Sequence, residues 1–368
     1  MMVELRGDAL EPVGGDMGGS DWDRRSVLHG GMGVMGALAT GGMMASPAQA
    51  ADQMVPLDAM SLKNYHQTMA KVLARSTRIA VPSYRFGMVM RNGMGASGGS
   101  GISSVDLKAD LVGVDPAMMR QLAHVAFSDF IERLRATGRT VLGWNEISGS
   151  EGFQKLEPTP APFLKKPFAD SRTVSVVSPE YLPLLTIGPE APLSDRSPFN
   201  LKNARALNAM SAALNCLVMI PSLVLDFAAL SGSGHRVYGG SANVGIQPGL
   251  FLVPLFTHFN FYHAKIALAG EGGRLILEDR VAVGQAGQLV QTGSFNNRDE
   301  IEEWNAYVRS NAWWTDPNMA APDRPTQAYD YSAYQYRVDP ELLQSAVRDA
   351  ARATHGLYMG VINANRPA

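Results

Sequence analysis

The stretch Ser104-Val105-Asp106-Leu107-Lys108-Ala109-Asp110-Leu111-Val112-Gly113-Val114 runs directly into Asp115-Pro116. Val105, Leu107, Ala109, Leu111 and Gly113 alternate with Asp106, Lys108 and Asp110. A period of two with charge confined to one side predicts a strand with one buried and one wet face, as in an antiparallel sheet. Asp115-Pro116 then supplies a helix N-cap and a first helical residue that needs no N–H partner. Met119, Leu122, Ala126, Phe130 and Leu134 place one apolar stripe along that helix, and Gly138 ends it. A half-wet strand followed by a one-sided helix predicts an α+β fold, with a mainly antiparallel sheet covered by helices on one face.

The same grammar recurs outward from this stretch. Asp339-Pro340 repeats the cap and opens a last helix with Leu343, Val347, Ala350, Thr354, Leu357 and Val361 on one stripe. On the N-terminal side, Leu62, Tyr65, Met69 and Val72 predict a helix over Asp58–Ser76. A strand is expected over Thr77–Arg91, with Pro82 marking an edge or a break. Asn92–Ser103 reads as a Gly/Ser loop. After a short strand at Arg139–Asn145, residues 146–200 are punctuated by proline and read as an irregular crossing, with one strand at Thr173–Val177. A helix at Asn200–Leu214 leads into strands at Leu217–Ala229, Ala242–Tyr262 and Arg274–Val283, which are joined by Gly-rich loops as in a meander. Asp299–Trp313 is amphipathic and helical, and Tyr329–Val338 is a Tyr-rich strand.

The chain has 368 residues, 32 Lys+Arg, 34 Asp+Glu and one Cys. The net charge of −2 argues against a nucleic-acid binder. A single Cys excludes an intramolecular disulfide framework and a Cys-paired zinc ribbon. The first fifty residues have the parts of a twin-arginine export signal. Asp23-Arg24-Arg25-Ser26-Val27-Leu28-His29 carries the paired arginines, Gly30–Ala45 is mildly apolar and free of charge, and Ala48-Gln49-Ala50 is a small-x-small cleavage site. The acidic residues before Asp23 are unusual for a signal, and Met17 offers a later start. Cleavage after Ala50 removes three Arg and six acids and leaves a mature chain of net +1. The expectation is therefore a cleaved signal over 1–50 and one periplasmic domain over 51–368. The twin-arginine translocase is the partner during export. No Cys stands near the cleavage site to carry a lipid anchor.

Candidate chemistry is sparse. Gly95-Ala96-Ser97-Gly98-Gly99 matches a hydrolase nucleophile pattern, but a helix does not follow it, so it reads as loop composition. No zinc-protease histidine motif, carboxylate-rich loop or phosphate-cradling glycine motif occurs, so neither metal nor cofactor is expected. His258 and His263 lie five apart, on opposite faces of a strand. His124 sits on the capped helix. Cys216 opens an apolar strand and reads as a buried, inert thiol. Gly249–Phe256 is apolar on both faces, which means burial in a core or contact with a second apolar phase; core burial is expected. The residues singled out as a contact surface are His235 in a Gly-rich loop, the pair Trp313-Trp314, and Tyr331, Tyr334 and Tyr336. They suit stacking on a sugar or contact with a protein, against the alternative of plain core packing.

Several of these segments, taken in order, resemble a known family. They are the strand opening Thr77-Arg78-Ile79-Ala80-Val81-Pro82, the capped helix from Asp115, and Thr140-Val141-Leu142. Asp226-Phe227 then leads into a Gly/Ser turn, and the strand Gly273-Arg274-Leu275-Ile276-Leu277 follows. This order resembles the periplasmic domain of the curli secretion channel subunit family over roughly residues 77–290. The resemblance implies a non-enzymatic αβ core that builds an envelope assembly and carries long hairpins. Members of that family carry a lipobox Cys, which this chain lacks. The resulting expectation is an exported periplasmic protein, with association to the outer membrane left open. It would act in envelope assembly or secretion by contact with envelope proteins or with copies of itself. The alternative is a hydrolase or carbohydrate-active protein exported by the same route.

Overall fold

A computed structural model of the chain describes residues 54–64, 68–98, 103–165, 172–185, 202–234, 242–254, 256–264, 274–310 and 328–365. These fall in one compact unit, Ala48–Ala368. Arg24, Arg25, Ala48, Ala50, His235, Trp313 and Trp314 lie outside the described residues.

The first elements are β1 (Met54–Pro56), a short 3-10 turn, β2 (Leu62–Asn64) and α1 (Thr68–Arg75). β3 (Arg78–Ala80), β4 (Arg85–Gly98) and β5 (Ser103–Val112) lead to α2 (Pro116–Ala136). The crossing contains β6 (Thr140–Val141), α3 (Trp144–Ser148), α4 (Glu151–Gln154), β7 (Phe163–Lys165) and β8 (Thr173–Val177), and ends in α5 (Lys202–Leu214). β9 (Leu217–Gly234), β10 (Ala242–Leu252), β11 (His258–Tyr262), β12 (Arg274–Leu277), β13 (Arg280–Gly284) and β14 (Gly287–Asn296) follow. α6 (Arg298–Ser310), β15 (Ala328–Val338) and α7 (Pro340–Ala364) complete the order.

Both Asp-Pro caps form as their chemistry requires. The Asp115 carboxylate accepts from the Met118 N–H at 2.7 Å, and that of Asp339 accepts from Glu341 and Leu342. All five stripe residues of α2 are buried, and Gly138 turns left-handed at φ +79° beyond its end. In α7 the stripe drifts. Leu343, Val347, Ala350 and Thr354 are buried, but farther along Tyr358 and Ile362 replace Leu357 and Val361. A repeat of 3.5 residues slips by about 20° per heptad on a straight helix, so the face that meets the sheet moves by one residue.

The α+β class is as expected, but the sheet is mixed rather than mainly antiparallel. β5 pairs β15 in parallel over ten residues, and β4 runs parallel to β9 from Arg85↔Ser222 to Met88↔Leu225. Alternation along a strand reports which face is buried and says nothing about the direction of its neighbours. The path through the sheet is β1-β13-β10-β9-β4-β5-β15-β14, with shorter branches from β4 and β9. β4 and β9 start side by side, then each continues into its own hairpin, with β5 and β10 respectively. The stretch expected to be a loop at Asn92–Ser103 is therefore hairpin arm up to Gly98, held by backbone pairing.

Other boundaries move for local reasons. The helix expected from Asp58 begins only at Thr68, because Leu62 pairs with Leu277 in β2. The strand expected at Arg139–Asn145 is two residues long and gives way to α3. The segment Ala242–Tyr262 breaks around Pro254 into β10 and β11, and Arg274–Val283 divides into β12 and β13.

Helices cover both faces of the sheet, not one. α2 and α7 pack against one face through Phe130, Leu134, Val347 and Ile362, which join Leu217, Met219, Phe259 and Phe261 in the main core. α5 covers the opposite face. Its Ala204, Leu207 and Met210 meet Val218, Ile220 and Tyr262 in a second core. Along β9, Leu217 and Met219 thus point one way while Val218 and Ile220 point the other. The two-sided apolar run is core, as expected: Leu250, Phe251, Leu252, Val253 and Phe256 are all buried.

Candidate functional site

Among the described residues five strands end a branch of the sheet. β1, β2, β6 and β7 have two or three residues each, whereas β14 has ten. Among the described residues β14 pairs only β15, and none of its residues is buried. Gly287-Gln288-Leu289-Val290-Gln291-Thr292-Gly293-Ser294-Phe295-Asn296 contains no charge and no proline. Edge strands are commonly protected from pairing by charges, proline, shortness or bulges. Of these devices β14 has only the bulge between Gln291 and Gly293.

The tyrosines expected to act together divide between the two faces of β15. Tyr334 and Tyr336 are in register with Ala109 and Leu111 and point inward. Tyr336 is fully buried; its ring lies 5.9 Å from that of Phe227, and its hydroxyl accepts from the Ala286 N–H at 2.9 Å. Tyr331 is in register with Asp106 and points outward with Tyr329. Phe295 of β14, 51% exposed, stands opposite Tyr331 and 6.2 Å from the Tyr329 ring. Lys108 lies 5.6 Å above Tyr331. Burial and the neighbouring Asp106 push the Tyr329 hydroxyl up to about 12. Of the six residues proposed for contact, Tyr331 alone of the described ones is on this outer face. Phe295 joins this face because β14 pairs with β15, whereas Tyr329 shares it with Tyr331 by standing two residues earlier on the same strand.

Two polar centres inside the protein each hold a perturbed carboxylate. In the first, His355 Nδ1 lies 2.8 Å from Asp129 Oδ2, and His355 Nε2 lies 3.0 Å from the Tyr84 hydroxyl. The Asp129 carboxylate only accepts, so Nδ1 donates to it, and Nε2 is then left to accept the Tyr84 O–H. Burial lowers the His355 pKa against the pull of Asp129, so the ring is neutral. Burial pushes the Tyr84 hydroxyl up. His355 is only 1% exposed behind α2, while Asp129 keeps 18% of its side-chain surface in water. In the second centre Asn92 Nδ2 reaches both oxygens of Asp226 at 3.1 Å, while Arg172 and Arg280 approach to 3.7 and 3.9 Å.

Cys216 is buried, and burial pushes its thiol up to about 11, an inert state. The Gly-x-Ser-x-Gly match begins in the β4 arm without a helix behind it. His258 is buried and 3.0 Å from Arg85 Nη2. Among the described residues no group of three or more His, Cys, Asp or Glu could hold a metal, and no helix is long and apolar enough to cross a membrane.

A cleft of about 450 Å³ opens on the outer side of α2. Its walls are α2, the segment Val141–Ile147 and the turn at Tyr181-Leu182.

No family model, curated protein or solved structure matches the chain. The likeness to the curli secretion channel subunit family therefore rests on the order of sequence segments alone.

Proposed function

We propose that this is an exported protein of the bacterial periplasm that works without catalysis, by protein–protein contact in envelope assembly or secretion. The observation that carries this reading is strand β14, ten residues of uncharged and unburied sheet edge beside the outward Phe295, Tyr329 and Tyr331. Main-chain pairing along such an edge gives affinity, and the aromatic side chains next to it give selectivity. A second copy of the chain is a suitable occupant, because an uncharged strand pairs with itself without opposing like charges. Export by the twin-arginine route rests on Arg24-Arg25 and Ala48-Gln49-Ala50.

The test is size-exclusion chromatography with light scattering. The wild-type chain should form a dimer or a larger species at high micromolar concentration. Gln288→Lys/Ser294→Lys, which places charge at two exposed positions of β14, should be monomeric with an unchanged melting temperature. A wild-type chain that stays monomeric, or a variant that assembles equally well, overturns self-pairing at this edge. Arg24→Lys/Arg25→Lys should leave the protein in the cytoplasm if the export reading holds.

The reading as an exported hydrolase or carbohydrate-active protein draws on the Asp129–His355–Tyr84 row. It ranks second because Tyr84 is fully buried and His355 only 1% exposed, so that of the three groups only Asp129 meets solvent.

A further inference from the structure

We propose that the cleft on the outer side of α2 binds a small zwitterion with an apolar body, the chemical class of the apolar α-amino acids. This inference does not depend on the contact role of β14. The cleft holds about 450 Å³, within the roughly 300–1,000 Å³ usual for small-molecule sites. Its floor is aliphatic, formed by Val81, Leu142, Ile147 and Leu182. Two aromatic rings stand at its rim, Trp144 at 37% exposed and Tyr181 at 49%. Neither ring is loose. Trp144 is held edge-on by Phe153 at 5.2 Å, and Tyr181 by Phe127 at 5.9 Å and His124 at 5.8 Å. Apolar rings held in place at a rim form a preorganised contact surface.

The polar groups of the lining choose the ligand. Ser128, Glu132 and Arg135 all come from α2 and share its outer side. Glu132 and Arg135 are three positions apart, so their side chains are neighbours. Among the described residues neither makes an ion pair, whereas Asp129 and Arg133 on the same helix pair with each other at 2.9 Å. A wholly apolar ligand would strip water from both charges and replace it with nothing. A simple anion meets Glu132, and a simple cation meets Arg135. A molecule that carries an ammonium and a carboxylate on one carbon satisfies both: the ammonium donates to Glu132 and the carboxylate accepts from Arg135. Its apolar body then lies between the Trp144 and Tyr181 rings over the aliphatic floor.

Titration calorimetry on the full chain with L-phenylalanine as probe tests this. One saturable site is expected. N-acetyl-L-phenylalanine lacks the ammonium and L-phenylalaninamide lacks the carboxylate, and each should bind about tenfold more weakly, the loss of one charge-assisted hydrogen bond. Glycine, which lacks the apolar body, should not bind measurably. Glu132→Gln should weaken L-phenylalanine about tenfold while leaving the acetylated probe unchanged, and Arg135→Gln should do the same relative to the amide. Both positions are exposed, so the variants keep the fold, and circular dichroism checks this. Absence of saturation by L-phenylalanine overturns the proposal. So does binding of the acetylated probe, the amidated probe or glycine as tight as that of L-phenylalanine.

Discussion

Asp129 and Asp226 are both carboxylates set into the body of the protein, and their pKa values move in opposite directions. Burial acts to raise Asp129, but hydrogen bonds from His355 and Arg133, with the Arg133 charge, outweigh it and hold the carboxyl below its ordinary value. Burial also raises Asp226, and there it prevails over Arg280, Arg172, the Ala228 N–H and Asn92. The difference follows from distance and access. Arg133 Nε reaches both oxygens of Asp129 at 3.0 and 2.9 Å, and the side chain keeps 18% of its surface in water. Asp226 keeps none, and its two guanidiniums stop at 3.7 and 3.9 Å, beyond good hydrogen-bond length. A charged partner offsets desolvation only when it arrives in aligned contact.

The largest expected effect is at Asp226. Asp226→Ala takes away the acceptor for Asn92 Nδ2 and the carboxylate between Arg172 and Arg280, inside a sheet that gives no access to water. Loss of one member of such a buried centre costs about 3–5 kcal/mol. Asp226→Asn keeps a carbonyl oxygen for Asn92 and the Ala228 N–H and removes a charge that burial disfavours, so it should cost clearly less. Urea denaturation of the two variants measures the gap. Equal losses would mean that the acceptor oxygen contributes nothing and that the contrast between the two acids is only one of burial.

Acid should act on the two centres with opposite sign. His355 has a folded pKa below its ordinary 6.5, so its contribution is full above that pH and is lost as pH falls through the folded value. Asp129, also lowered, adds a second loss below its ordinary 3.8. Asp226 is raised, so the folded chain holds its proton more tightly, and acidification relieves a penalty present at neutral pH. Tyr84, Asp129, Arg133 and Tyr358 are the other ionisable groups around the His355 ring or its partners. His355→Phe should lower stability by about 2 kcal/mol at neutral pH through the broken bonds to Tyr84 and Asp129. It should also flatten the decline in stability on acidification from about pH 8 to pH 5. Denaturation midpoints across that range decide the matter: parallel wild-type and variant curves would show that His355 does not titrate on unfolding.

What the sequence revealed of this architecture was its local part. The alternation over Ser104–Val114 and the caps at Asp115 and Asp339 act within two to four residues, so the pattern and the structure coincide there. The expected cover on one face was wrong, although the chain carries a signal against it. Leu217–Leu225 has no polar alternation, and a strand apolar on both sides needs a layer on each, which α5 and the α2–α7 pair supply. Strand direction and strand β14 were not legible. Gly287–Asn296 is mostly Gly, Gln, Thr, Ser and Asn, and it is a strand because its backbone pairs with β15. The polar centres were hidden by separation along the chain: His355 is 226 residues from Asp129 and 271 from Tyr84. Only the fold makes them neighbours.

The smallest effect is expected at the far end of the helix-side row. Tyr84→Phe removes one hydroxyl and keeps the ring, which stays packed 5.7 Å from Phe127 and 6.3 Å from Phe130. Deletion of a single neutral hydrogen bond lowers stability by about 1 kcal/mol. His355 Nε2 then lacks its donor, and the neutral form of the ring loses a bond that favoured it. The folded pKa of His355 should rise toward its ordinary value, so acid should destabilise Tyr84→Phe less steeply than the wild type. A double-mutant cycle with His355→Phe separates the hydroxyl from the ring. Once the imidazole is gone, the Tyr84 hydroxyl has lost its acceptor, and its removal should cost nothing or even stabilise the protein. If Tyr84→Phe costs the same in both backgrounds, the hydroxyl acts independently of His355. The row is then two separate contacts, and the closeness of its partners does not account for the contrast with Asp226.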